Sequence, residues 1–146
     1  MIVKAELNDL KEILDLQHLA YISEAKLFND MTIQPLTETL DELIEEYNKG
    51  IVLKFVFENK IIGSIRAHED NGTIYIGKLM VHPDYQQKGY GTMLIKEIEK
   101  MFPNKRFELF TSTRSINNIK LYQKNGYKIF KTEKVYNDLE FVFLEK

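Results

Sequence analysis

The sequence predicts an α+β (α/β/α) fold: a mixed, mostly antiparallel central sheet with helices on both faces. Three observations lead there. Alternating and amphipathic segments follow one another in the order β-α-α-β-β-β-α-β-α-β-β. The three strand-like runs in succession, broken at Asn59-Lys60 and Asn71-Gly72, form a meander, because Asn-Gly tolerates the positive φ of a tight hairpin. The stretch from Thr73 to Thr111 reads strand, helix, strand, which is taken as one βαβ crossover and a parallel pair within an antiparallel sheet.

Met1 to Ala5 is strand-like, and Asn8 is placed to cap a helix that carries Leu10, Ile13, Leu14 and Gln17 on one face. Leu27 to Pro35 reads as a loop. Thr37 or Thr39 caps a second helix with Leu40, Leu43, Ile44 and Tyr47 as its stripe, ended by Gly50. Strands follow at Val52 to Phe57, Ile61 to His68 and Thr73 to Val81. Gly77 inside the last of these is weak for a strand interior and marks a bulge or a close backbone approach. A helix spans Gly91 to Phe102, a strand Arg106 to Thr111, and a helix Ile116 to Asn125, ended by Gly126. Two strands, Tyr127 to Lys134 and Leu139 to Leu144, turn at Asn137-Asp138.

With 146 residues and 44% apolar side chains, residues 1–146 are expected to form one domain around one ordinary core. No apolar run approaches the roughly 18 residues of a membrane span, and Met1-Ile2-Val3-Lys4 leads into a strand without a signal-peptide core. A soluble, cytoplasmic protein without a membrane partner is expected. There is no cysteine, and His18, His68 and His82 show no metal spacing, so a metal site is not expected. The net charge of −2 conceals a division: residues 1–77 carry 7 Lys/Arg and 14 Asp/Glu, residues 78–134 carry 12 and 5. The basic part would concentrate a polyanionic ligand. The acidic overall balance and the lack of a basic-aromatic stripe argue against nucleic acid.

The most informative stretch joins the apolar run ending at Val81 to the helix after Gly89-Tyr90-Gly91-Thr92. Backbone N–H groups at such a strand-to-helix turn have no partner inside the helix, and glycine lets a ligand approach the main chain, so the turn suits an anion such as phosphate. Leucine stands where a dinucleotide fingerprint needs its third glycine, and Gly91-Thr92-Met93 lacks the lysine of a phosphate-binding P-loop. What remains is Gln86-x-x-Gly89-x-Gly91 after a Val-x-Pro strand exit, with Asn118-x-x-Leu121-Tyr122-x-x-x-Gly126-Tyr127 about thirty residues on. This pair resembles the GCN5-related N-acetyltransferase (GNAT) superfamily, and the element order matches that family's acyl-CoA acyltransferase fold over nearly the whole chain.

The resemblance implies an acetyl-CoA-dependent N-acetyltransferase that moves an acetyl group to a primary amine by direct attack. Acetyl-CoA is the acyl donor, and no metal takes part. By the same likeness the main-chain amides of Gln87, Lys88, Gly89, Tyr90, Gly91 and Thr92 bind the pyrophosphate, and the strand edge at Leu79, Met80 and Val81 pairs with the pantetheine arm. Tyr122 matches the tyrosine that protonates the departing thiolate, and a phenol, with a pKa of about 10, stays protonated at neutral pH. Ser115 stands where the family often has a pantetheine-binding asparagine, although a helix N-cap explains it equally well. Asn118 is the stronger polar candidate.

Phe110 stands where members that acetylate protein N-termini place a glutamate base, so no general base is assigned. An amine with a lysine-like pKa gives up its proton at pH 7 at a cost of roughly 4–5 kcal/mol. Seven carboxylates against one lysine between Glu24 and Glu46 would suit a polyamine if they lined a pocket, while the wet face of an amphipathic helix accounts for most of them equally well. The alternative function is a non-catalytic acyl-CoA-binding sensor or partner module. Dimers through terminal strands are common in the family, and a homodimer is compatible with this sequence, which specifies none.

Overall fold

The computed structural model describes all 146 residues. Its elements are β1 (Ile2–Lys4), α1 (Leu10–Phe28), α2 (Gln34–Thr37), α3 (Leu40–Lys49), β2 (Ile51–Phe57), β3 (Lys60–Asp70), β4 (Thr73–Val81), α4 (Tyr90–Met101), β5 (Arg106–Ser112), α5 (Ile116–Lys124), β6 (Lys128–Tyr136) and β7 (Leu139–Glu145). One seven-stranded sheet runs β1-β2-β3-β4-β5-β7-β6, antiparallel at every pairing except β4 with β5. The mixed, mostly antiparallel sheet predicted from the residue pattern is therefore present. No helix is long and apolar enough to cross a membrane.

The first third departs from the expected element bounds. Asn8 is not a cap; it lies in a 3-10 turn, where the Glu6 N–H donates to Asp9 Oδ2 at 2.7 Å and Asp9 becomes the N-cap position. α1 continues through Leu27 and Phe28 and stops at Asn29, whose φ of 51° breaks the helix. The expected Leu27–Pro35 loop is shorter still because a helical turn forms at Gln34–Thr37 with Pro35 in its first turn, where no helical N–H is needed. Of the two candidate caps for α3, Thr39 serves. Its Oγ1 accepts from the Glu42 N–H at 3.2 Å while its own N–H donates to Glu42 Oε1 at 2.8 Å.

Each face of the sheet buries its own core. Leu53, Phe55, Ile65, Ile74, Ile76, Phe107, Leu109 and Leu144 meet Leu94, Ile95 and Ile98 of α4 and Tyr122 of α5. On the other face Val52, Ile61 and Met80 meet Leu10, Ile13 and Leu14 of α1 and Leu43 of α3. A polar knot ties that helical layer to β3. Arg66, 5% exposed, donates through Nη1 to Glu38 Oε1 at 3.0 Å and to Glu46, and through Nη2 to Gln17; Gln17 Nε2 donates in turn to Glu38 Oε1 at 2.8 Å.

Two irregularities in β4 open the sheet. Opposite Ile65 alone, β4 places Lys78 and Leu79, a bulge in which Lys78 takes φ 50°. The alternation of faces flips there. Ile74 and Ile76 before the bulge, and Leu79 and Val81 after it, face the α4 core, whereas Met80 turns to the α1/α3 core. The irregularity expected at Gly77 thus falls one residue later, and nothing approaches Gly77 itself, since a Cβ there would meet no atom within 4 Å. Second, β4 pairs with β5 only from Thr73↔Arg106 to Tyr75↔Glu108. Beyond Tyr75 the two strands have no pairing, so main-chain groups on that side of β4 need other partners.

Candidate functional site

The parting strands lead to a cavity of about 710 Å³. Its walls are Leu79–Val81 of β4, Gln86, Gln87 and Gly89–Thr92 of the glycine turn, Ser115, Asn118 and Leu121 at the start of α5, and Tyr21 and Glu24 of α1. Segments far apart in the chain thus converge, because α1 lies across β3 and β4 on one face while α4 and α5 contribute to the core on the other.

The turn is built to leave donors free. Pro83–Tyr85 forms a 3-10 turn capped by His82, whose Nδ1 accepts from the Asp84 N–H at 3.0 Å, and Gln86 Nε2 donates to the Val81 carbonyl at 3.0 Å, bracing the strand exit. Gln87 and Gly89 then take φ of 63° and 85°. The first backbone bond into α4 runs from the Met93 N–H to the Gly89 carbonyl, so the N–H groups of Tyr90, Gly91 and Thr92 precede the helical ladder, and those of Gln87, Lys88 and Gly89 have no backbone acceptor. This is the concave run of donors that suits phosphate. The two glycines serve different ends. Above Gly89 lies open space, whereas a Cβ on Gly91 would stand 3.3 Å from Leu121 Cδ2, so Gly91 lets α4 sit close against α5.

At the inner end the Ser115 hydroxyl donates to both oxygens of Glu24 at 2.7 and 2.8 Å, and Asn118 Nδ2 donates to Glu24 Oε1 at 3.0 Å. Ser115 occupies the N-cap position of α5 but makes no side-chain cap bond, so the capping explanation of this residue does not hold. Its partner is a carboxylate at the positive end of a helix. The Tyr21 hydroxyl donates to the Leu79 carbonyl at 3.3 Å. Burial first, then the neighbouring Tyr122 and Glu24, push the Tyr21 pKa far up; burial followed by Glu24 does the same to Tyr122. Both phenols are neutral donors at any physiological pH.

Of the residues singled out from sequence, Lys88 and Tyr122 do not line the cavity. Lys88 extends its ammonium over the Tyr85 ring, 5.9 Å from the centroid. Tyr122 is 7% exposed and packs its ring 6.3 Å from that of Tyr127. Sequence reasoning weighed Glu24 only among the carboxylates of an acidic acceptor pocket and Tyr21 as core more than pocket wall, and placed neither at the cofactor cavity, although a signal existed: the α1 stripe through Gln17 continues at helical spacing to Tyr21 and Glu24, polar groups on an inward face. The acidic pocket suggested by the carboxylates from Glu24 to Glu46 does not form. Glu24 is held by α5, Glu38 and Glu46 by Arg66, Glu42 by the Thr39 N–H and Asp30 by Thr32, while Asp41 and Glu45 lie exposed on α3. No group of three or more His, Asp or Glu side chains comes together to hold a metal ion.

A family model described as acetyltransferase (GNAT) family matches residues 10–127. Among solved structures, the ribosomal-protein-S18-alanine N-acetyltransferase from Escherichia coli is similar with a TM-score of 0.83 at 13% identity, covering 99% of this chain and 91% of that one. The PaiA N-acetyltransferase from Thermoplasma acidophilum in complex with coenzyme A gives a TM-score of 0.81 at 18% identity, covering 100% and 97%. A phosphinothricin acetyltransferase from Sinorhizobium meliloti in complex with AcCoA gives 0.77 at 15%, covering 100% and 86%. At these identities the likeness is one of fold. No curated protein matches the sequence significantly.

Proposed function

Because this chain belongs to the acetyltransferase (GNAT) family, we propose that it transfers the acetyl group of acetyl-CoA directly to a primary amine. The observation that carries this reading is the run of free N–H groups from Gln87 to Thr92, set at the mouth of the cavity that the unpaired edge of β4 borders. In this reading the amides hold the pyrophosphate, and Leu79, Met80 and Val81 offer main-chain groups to the pantetheine arm. Ser115 and Asn118 reach the same arm from α5 while anchored on Glu24. The amine nitrogen forms a bond to the thioester carbonyl carbon as the C–S bond breaks; the amine loses one proton and the thiolate gains one. A β4 N–H near the bulge steadies the oxyanion. Tyr122 is the phenol assigned by resemblance to meet the thiolate. Tyr21, which lines the cavity, is a second neutral donor.

Calorimetric titration with acetyl-CoA tests the cofactor without an acceptor. Gly89→Asp puts a carboxylate among the amides, in space that is empty and at a positive φ that Asp and Asn tolerate better than most residues. Gly89→Asn is its neutral match. The expected result is saturable binding by wild type, lost by at least tenfold in Gly89→Asp and largely kept in Gly89→Asn. No binding by folded wild type would overturn the reading. The burial of Tyr122 behind the cavity wall favours a second reading, a binding module without turnover. It predicts tight acetyl-CoA binding, no transfer to any amine, and Tyr122→Phe without effect.

A further inference from the structure

The face of the sheet that α1 and α3 cover at β2, β3 and β4 is bare over β5 and β7. Tyr75 and Gly77 of β4 share that face with Glu108 and Phe110 of β5, because Ile74 and Phe107, paired across the two strands, both point into the α4 core. Phe110↔Phe143 and Ser112↔Phe141 continue it onto β7. Phe110 is 51% exposed, and its ring lies 4.8 Å from that of Phe141 and 5.4 Å from that of Phe143. A large aromatic surface is thus left to water beside the opening between β4 and β5. On the opposite face Ile76, Leu109 and Tyr122 are buried in the core beneath α4 and α5. The bare face is the open approach to the β4 edge, and Gly77 keeps it clear.

Two of the rings are already taken: the Lys131 ammonium stands 4.5 Å over the Phe143 ring and the Arg106 guanidinium, itself paired with Glu108 and Glu145, 5.2 Å over that of Phe130. Phe110 and Phe141 carry no such cation. At the hairpin end, Leu139, on the face of Phe141 by alternation, opens into a second cavity of about 610 Å³ between the end of α1 and the β6–β7 turn, where Asp30 and Asp138 outnumber Arg114.

We propose that the acceptor is an arylalkylamine, a primary amine on a flat apolar body, whose ring lies on Phe110 and Phe141 and whose amino group passes over Gly77 to the β4 edge. The proposal rests on the acetyltransferase reading and narrows its substrate. A polyamine would find few bare carboxylates here, since those of the first third are engaged or lie on the wet face of α3 and Glu108 is paired with Arg106. Stacked and edge-on ring contacts need the flat body.

The test measures release of free CoA thiol with 2-phenylethylamine, tryptamine, butylamine and spermidine as acceptors. The expected kcat/KM for the two aryl amines exceeds that for butylamine and spermidine by at least about tenfold. Phe110→Ser is expected to raise the aryl-amine KM on the order of tenfold while Phe110→Tyr restores it, with acetyl-CoA affinity unchanged in both. Phe110 is half exposed, so both variants are expected to fold, and calorimetry with acetyl-CoA checks this directly. Preference for spermidine or butylamine, or an aryl-amine KM indifferent to Phe110, would overturn the proposal and leave the acetyltransferase reading standing. Should none of the four amines turn over, saturation-transfer NMR of 2-phenylethylamine on the CoA-loaded protein decides, and absence of ring contact counts against the proposal. A dimer in sedimentation that Phe110→Ser dissociates would show a second copy on this surface and overturn it too. Failure of acetyl-CoA itself to bind removes both readings.

Discussion

Glu24 receives hydrogen bonds from two residues of α5 and stands close enough to two buried phenols to strengthen their hold on their protons. A carboxylate taken from this place leaves the buried Ser115 hydroxyl without its acceptor, whereas glutamine keeps an acceptor there. Glu24→Ala is therefore expected to lose about 1 kcal/mol of stability and Glu24→Gln to recover most of it, read by urea unfolding. Equal losses would mean that charge at the helix end, not the hydrogen bonds, matters. Glu38 shows the same economy of carboxylates under deeper burial. Burial alone would raise its pKa, but the Gln17 hydrogen bond and the Arg66 charge outweigh this and hold it below the usual range. A carboxyl with a depressed folded pKa stabilises above its unfolded value, about 4.3, and that contribution is lost as the pH falls through the folded pKa. Glu38→Gln is expected to cost about 2–3 kcal/mol at pH 7, less than an isolated buried pair because Glu46 still faces Arg66. The gap from wild type should narrow below pH 4. A gap constant from pH 7 to pH 3 would contradict the ion-pair account.

At the scale of elements, turns and long amphipathic runs were legible because their signals are local. Asn71-Gly72 supplies the hairpin with φ of 50° and 82°, and β4 spans Thr73–Val81 as the residue pattern predicts. What was not legible depends on partners distant in the chain. The end of α1 is set by Asn29, but its last turns are held in place by α5 through Glu24–Ser115 and by the Arg114 guanidinium, which donates to the Leu27 carbonyl at 3.2 Å. Propensity at Leu27 and Phe28 cannot reveal those contacts. Gly50 makes the point most sharply. It reads as an ordinary helix stop, yet its φ of −152° is open to any residue, and the constraint is a neighbour: a Cβ would stand 2.3 Å from the Ala67 carbonyl oxygen of β3. Gly50→Ala is expected to destabilise by about 3 kcal/mol, since backbone of a central strand must move. Gly77→Ala, a strand glycine with open space above it, is expected to change thermal stability by less than about 1 kcal/mol. Equal effects at the two positions would refute the close-approach account of Gly50.

For the molecule as a whole, the feature on which the proposed function rests is a sheet that stops pairing partway along its one parallel contact; family likeness had pointed to the β4 edge at Leu79, Met80 and Val81. β4 and β5 share three residue pairs and then part, leaving the two halves of the sheet joined through that short ladder and through the core beneath α4 and α5. A ligand lying in the gap would act as a missing strand. Acetyl-CoA that binds only the folded chain adds RT ln(1 + [L]/Kd), about 2.7 kcal/mol at a hundred times Kd. For a chain of 146 residues that corresponds to a rise in melting temperature of roughly 5–10 °C. The distribution of the gain separates a strand-like ligand from one held at the turn alone. Amide hydrogen exchange with bound acetyl-CoA is expected to slow at Leu79–Val81 and at Gln87–Thr92, while β1 and β2, on the far side of β3, change only as far as global unfolding contributes. Protection confined to Gln87–Thr92 would mean that the anion site is occupied but the gap is not, and the β4 edge would then need some other partner for its main chain.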